Sequence, residues 1–147
     1  MIRSKALFAS LLLILPALPA LAGDSAQEQR QELMEDVGGA AKKIGKMMKG
    51  ETEFDAAVAN QALLVWADSA EPFGKLFPEG SDSGFDTEAR ATIWSDPEGF
   101  EEQLSLFAEK TSAAVAANPQ DLEALKAAGG AVFKVCKSCH EGYRVDD

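Results

Sequence analysis

The stretch NPQDLEALKAAGGAVFKVCKSCHEGYR, residues 118–144, carries an apolar seam at Leu122, Leu125, Gly129, Val132, Cys136, Cys139 and Tyr143. Alternating steps of three and four place those residues along one face of a helix. Asn118-Pro119 reads as its opening signal, a capping residue followed by a proline in the first turn. Both cysteines and the only histidine of the chain fall in Cys136-Lys137-Ser138-Cys139-His140. This is the C-x-x-C-H pattern of covalent c-type haem attachment, in which two thiols bond the macrocycle and the adjacent imidazole takes one face of the iron. At i, i+3 and i+4 the three side chains leave the helix on one side and can meet a single flat group. Gly129, Gly130 and Ala131 either make room for that group or let a second helix approach closely.

Three further seams precede this one. Met34, Val37, Ala41, Ile44 and Met48 define the first, with Gly50 as a stop. The second opens at Thr52, with Asp55 three residues on as a weak capping box, and runs through Ala59, Leu63, Trp66, Ala70 and Phe73 to end before Pro78. A connection rich in Gly, Ser and Asp occupies residues 78–95. Ile93 and Trp94 near its end are wasteful in solvent and are expected to fold back on the helices, Trp94 against the haem. Asp96-Pro97 then starts a third seam through Phe100, Leu104, Phe107, Thr111 and Ala114. No strand-like alternation of consequence is present. The expectation is all-α: an antiparallel four-helix bundle with one covalent haem near the C-terminus, built from side chains pointing inward.

The N-terminus bears on compartment. Arg3 and Lys5, an apolar run from Ala6 to Leu15, and Ala20-Leu21-Ala22 read as a signal peptide over residues 1–22, leaving one domain over 23–147 and no membrane span after processing. The expected location is the periplasm. Of the 147 residues, 14 are basic and 24 acidic; without Arg3 and Lys5 the balance is 12 against 24. Such a surface repels nucleic acid and anionic lipid and suits a basic redox partner protein. A disulfide between Cys136 and Cys139 would close a tiny loop for little gain. A thiol-disulfide oxidoreductase, the remote alternative, would place its C-x-x-C at a helix N-terminus rather than deep inside a helix.

A single histidine excludes bis-histidine ligation, so His140 is the proximal ligand. The sixth position falls to methionine, a lysine amine or no protein group. Nothing after His140 is a methionine, and Met34 opens the first seam. If the first and fourth long helices are antiparallel, Met34 and His140 face each other across one iron. Met34 then either ligates iron as a soft, potential-raising donor or simply fills the distal pocket. Arg144, at i+4 from His140, and Arg30, at i−4 from Met34, either meet haem propionates or the pocket rim, or lie in solvent.

In its order of Arg30 with Met34, Lys49-Gly50, Leu76-Phe77-Pro78, Ile93-Trp94 and Cys136-x-x-Cys139-His140-x-x-x-Arg144, the chain resembles the class II c-type cytochromes, the cytochrome c-prime family. The resemblance spans the whole chain after the signal peptide. It implies a periplasmic four-helix bundle with one haem c, frequently a homodimer through its first two helices, and no catalytic residues. It also implies a choice. Low-spin relatives use a first-helix methionine and carry electrons; five-coordinate members bind nitric oxide or carbon monoxide. Electron transfer is the leading expectation and diatomic gas binding the alternative.

Overall fold

The computed structural model describes residues 25–145; the signal peptide expected over residues 1–22 lies outside them. Five helices follow in order: α1 (Ala26–Met48), α2 (Ala56–Gly74), the single turn α3 (Thr92–Ser95), α4 (Pro97–Ala117) and α5 (Leu122–Tyr143). No strand is formed among the described residues, only an isolated bridge between Ala89 and Arg144. The four long helices make the bundle.

Each long helix starts where a side chain can accept from an orphan backbone N–H. Ser25 and Glu28 form a reciprocal capping box at α1. Two starts differ from the sequence reading. Helix α2 is capped by Asp55, whose side chain accepts from Val58 N, so it begins four residues after Thr52. Helix α5 is capped by Asp121 through Ala124 N. Asn118 instead closes α4 in the left-handed conformation, φ 42°, a role asparagine fills because its short polar side chain tolerates that region. Cap chemistry is ambiguous in direction: one residue type can end a helix or start the next.

Neighbours around the bundle run α1, α2, α4, α5 and back to α1. Near the C-terminal end of α1, a Cβ on Gly129 of α5 would come within 3.1 Å of Ile44. Near the N-terminal end of α1, Met34 shares a cavity with His140, so α1 and α5 are antiparallel. Gly129 thus serves close helix packing, and none of Gly129, Gly130 and Ala131 lines that cavity.

Ile44, Leu63, Trp66, Leu125 and Val132 are fully buried. Burial of such side chains contributes roughly 1.5–3 kcal/mol each. The Trp66 indole N–H donates to Val37 O at 3.0 Å, so the largest core residue loses no hydrogen bond. The first seam is broader than its expected line: Val37 and Ile44 are buried as expected, Ala40 and Met47 are buried beside them, and Met34, Ala41 and Met48 are half-buried. Helix α1 packs against α2 on one side and α5 on the other, so its apolar stripe is wider than a single heptad line.

The connection from Lys75 to Ala91 crosses one end of the bundle and is stitched down at both sides. Buried Arg30 donates to Leu76 O, to Ser81 Oγ and O, and to Thr87 Oγ1, at 2.7–3.1 Å. At the other side Arg90 N donates to Tyr143 O, Val145 N to Glu88 O, and Thr92 Oγ1 to Gly142 O. The crossover therefore ties the start of α1 to the end of α5.

Candidate haem site

At that end of the bundle lies a cavity of about 580 Å³, within the usual range for a site that encloses a flat cofactor. Helix α5 brings Cys136, Cys139, His140 and Tyr143 to it, and α1 brings Arg30, Met34, Val37, Gly38 and Ala41. Phe73, Phe77, Phe100, Leu104, Phe107 and Phe133 make its walls apolar. Aromatic contacts fix those walls: Phe77 packs edge-on against Phe73 and Phe100 at 5.0 and 4.7 Å, and Phe133 against Trp66 at 5.3 Å.

The donor set fits a covalently bound haem. Cys136 and Cys139 are free, half-buried thiols, one turn apart on the face that lines the cavity. Burial raises the pKa of both, that of Cys139 to about 11, with Cys136 adding to the effect. At neutral pH they are protonated, the reverse of an activated redox C-x-x-C thiol. His140 stands at the cavity edge and remains solvent-accessible. Partial desolvation by the cavity wall lowers its pKa, Arg144 adds in the same direction and Glu88 opposes both. The imidazole is thus held neutral near pH 7, the form that ligates a metal.

Matching of the family model for cytochrome c′ covers residues 25–144. The chain belongs to the cytochrome c′ family. It is 41% identical over 118 residues to a cytochrome c′ of Rhodopseudomonas palustris, covering 79% of each chain. It is 38% identical over 143 residues to a cytochrome c-554 of Cereibacter sphaeroides, covering 90% of this chain and 92% of the relative. The solved structure of cytochrome c′ from Rhodopseudomonas palustris superposes with a TM-score of 0.80 at 35% identity, over 85% of this chain and 99% of that one. The cofactor of this cytochrome c′ family member is a covalently attached haem c.

Several side chains singled out in the sequence meet at the cavity: Cys136, Cys139, His140, Met34, Arg30 and Arg144 all line it. Trp94 does not. Its ring lies tilted against Phe77 at 6.2 Å and its indole N–H donates to Pro78 O, so Phe77 and Ile93, rather than Trp94, line the cavity. The reason is sequence-local: α3 is a single turn, and adjacent residues on it point to different sides. Arg30 spends its terminal nitrogens on the crossover and sits 4.8 Å from the Phe77 ring centroid. Arg144 Nε donates to Glu88 Oε2, which holds the Glu88 carboxyl below its ordinary pKa.

Seam reading missed the crossover's share of the wall, Thr87, Glu88 and Ala89, and also Gln103. Gln103 accepts a 2.8 Å hydrogen bond from Ser138 Oγ, inside the C-x-x-C-H segment, and so couples α4 to the attachment helix. Irregular segments have no periodicity to mark an inward face. For Gln103, its position one residue before the seam residue Leu104 was the only signal.

Proposed function

We propose that this protein is a periplasmic one-electron carrier. Cys136 and Cys139 hold the haem through thioethers, His140 is the proximal iron ligand and Met34 the distal one. The observation that carries the reading is that Met34 of α1 and His140 of α5 line one cavity with both cysteines. When bound, haem supplies a reversible one-electron couple at iron. The chain's own residues set its conditions. Apolar walls from α2, α4 and Phe133 exclude water, which favours the less charged redox state. A neutral imidazole on one side and a soft thioether on the other raise the potential. The Glu88–Arg144 pair and Arg30 brace the crossover at the rim. The signal peptide over residues 1–22 directs export to the compartment where covalent attachment occurs; among the described residues no helix is long and apolar enough to cross a membrane. A homodimer would use the outer faces of α1 and α2, where Val58 and Leu64 are exposed.

A second reading rests on the apolar company of Met34. It lines the cavity beside Val37, Phe73 and Phe77, so its side chain could fill the distal side by packing alone. The iron would then be five-coordinate and take a diatomic ligand, nitric oxide or carbon monoxide.

Absorption spectra of the purified holoprotein in both oxidation states, with and without carbon monoxide, separate the two. Electron carriage with Met34 ligation requires a low-spin spectrum with a sulfur-to-ferric charge-transfer band that Met34→Ala abolishes. A high-spin spectrum with ready carbon monoxide binding to the reduced wild type rejects it in favour of the gas-binding reading.

A further inference from the structure

Phe85 is 60% exposed, the most exposed large hydrophobic side chain among the described residues. It is also held there at a cost. Gly84, Phe85 and Asp86 have successive positive φ values of 87°, 51° and 47°. For a residue with a Cβ the left-handed region is disfavoured, and a bulky aromatic is rare in it. The turn persists because its backbone is tied down: Gln31 Nε2 donates to Phe85 O and, at 3.4 Å, to Asp86 O, Gln27 Nε2 to Ser83 O, and Thr87 N to Gly84 O. The ring itself points to water.

Its position gives the exposure meaning. Gln27, Gln31, Thr87 and Glu88 all line the haem cavity, so Phe85 projects from the lip of the cavity mouth. Asp82 and Asp86 of the same loop are exposed, as is Glu35, one turn along α1 from Gln31. No lysine or arginine occurs between Leu76 and Ala89. The nearby cations are committed elsewhere: Arg30 is buried and bonded to the crossover, Arg144 bonds Glu88, and Arg90 donates to Glu141 O. An apolar projection inside a negative rim is the surface that a positively charged partner with a central apolar recess would seat upon.

We propose that Phe85 and its acidic surround are the docking surface for a basic one-electron redox protein, which seats its apolar centre on the ring and its lysines on the carboxylates. This rests on the electron-carrier reading and names that carrier's partner surface. One electron passes between the docked proteins, one being oxidised and the other reduced, with no bond made or broken and no proton moved.

The test uses the isotopically labelled holoprotein in its reduced form, titrated with reduced mitochondrial cytochrome c as a basic probe. With both proteins reduced, binding is read by NMR without net electron transfer. Shift changes are expected to centre on Gln31 and residues 83–88 and to fade with added salt. Phe85→Ala should weaken binding about fivefold or more, since truncation removes the apolar anchor at the centre of the surface. Asp82→Asn with Asp86→Asn should weaken it and flatten its salt dependence, while Glu51→Gln with Glu53→Gln, near the C-terminal end of α1, should change nothing. Shift changes centred elsewhere, or affinity unchanged in Phe85→Ala, would overturn the proposal. So would shifts at residues 83–88 that depend on the concentration of this protein alone and vanish in Phe85→Ala, since the occupant would then be a second copy. Stopped-flow mixing with the oxidised probe and with ferricyanide keeps the two readings apart. Loss of reaction with both defeats the electron-carrier reading, whereas loss of the Phe85 effect alone defeats the docking surface.

Discussion

Arg30 reaches from α1 to Ser81 in the crossover, its Nη2 donating to the backbone oxygen at 2.7 Å and its Nη1 to the side-chain oxygen at 3.0 Å. Arg30, on the wall of the haem cavity, is thereby tied to a residue 51 positions away in the crossover. Because Arg30 is buried, its removal leaves the Ser81 carbonyl in a buried site, and that of Leu76 in a half-buried one, without this donor. Arg30→Ala is expected to lower the stability of the holoprotein by about 2–4 kcal/mol in urea denaturation. Arg30→Lys should recover less than half of that, since one ammonium cannot reproduce the fork. A loss below about 0.5 kcal/mol for Arg30→Ala would show that the crossover is held by other contacts.

Gly99 in the first turn of α4 has no room for a side chain. A Cβ there would collide with both the Asp96 carboxylate and the Tyr143 hydroxyl, which are joined by a 2.8 Å hydrogen bond. The same carboxylate caps α4 through Gly99 N. Gly99→Ala should therefore cost about 1–3 kcal/mol despite alanine's better helix propensity. Thermal melts of Gly99→Ala and of Tyr143→Phe, the latter expected to be milder, check this.

Glu88 provides a pH-dependent contribution. Its hydrogen bond to Arg144 lowers the folded-state pKa, so the native state binds the proton less tightly than the unfolded chain. The stabilisation is present above the ordinary carboxylate range and is lost as pH falls through the lower folded value. Both partners are substantially exposed, which limits the contribution to about 0.2–1 kcal/mol. Stability of wild type minus Glu88→Gln should be positive near neutrality and decline toward zero on acidification. A difference that grows with acid would contradict the assignment.

Trp66 tests the core. Trp66→Phe keeps most of the apolar volume but removes the buried indole hydrogen bond to Val37 O. The expected loss is about 1–3 kcal/mol with little change in the haem spectrum, because Phe133 stands between Trp66 and the cavity.

Covalent attachment has its own measurement. Wild type should retain haem through acidified organic extraction, each of Cys136→Ser and Cys139→Ser should retain it through the remaining thioether, and the double variant should release it. Release from wild type would remove the thioether assignment.

Residue spacing along the chain is enough to read the four long helices, the run of apolar seams, the cofactor and the placement of Cys136, Cys139 and His140 on one face of the last helix. These follow from spacing along a single helix, where 3.6 residues per turn fixes which side chains coincide. Local chemistry was ambiguous wherever one residue type serves two ends: Asn118 looked like a start and is a stop, and Thr52 looked like a cap where Asp55 is one. It takes the packed helices to put Phe77 rather than Trp94 on the cavity wall, to set Gly129 against Ile44, and to bring Thr87, Glu88 and Ala89 of the crossover to that wall. Irregular backbone has no period from which an inward face can be read. Its direction is set by partners distant in sequence, here Arg30, Gln31 and the end of α5, whose hydrogen bonds exist only once the helices have packed.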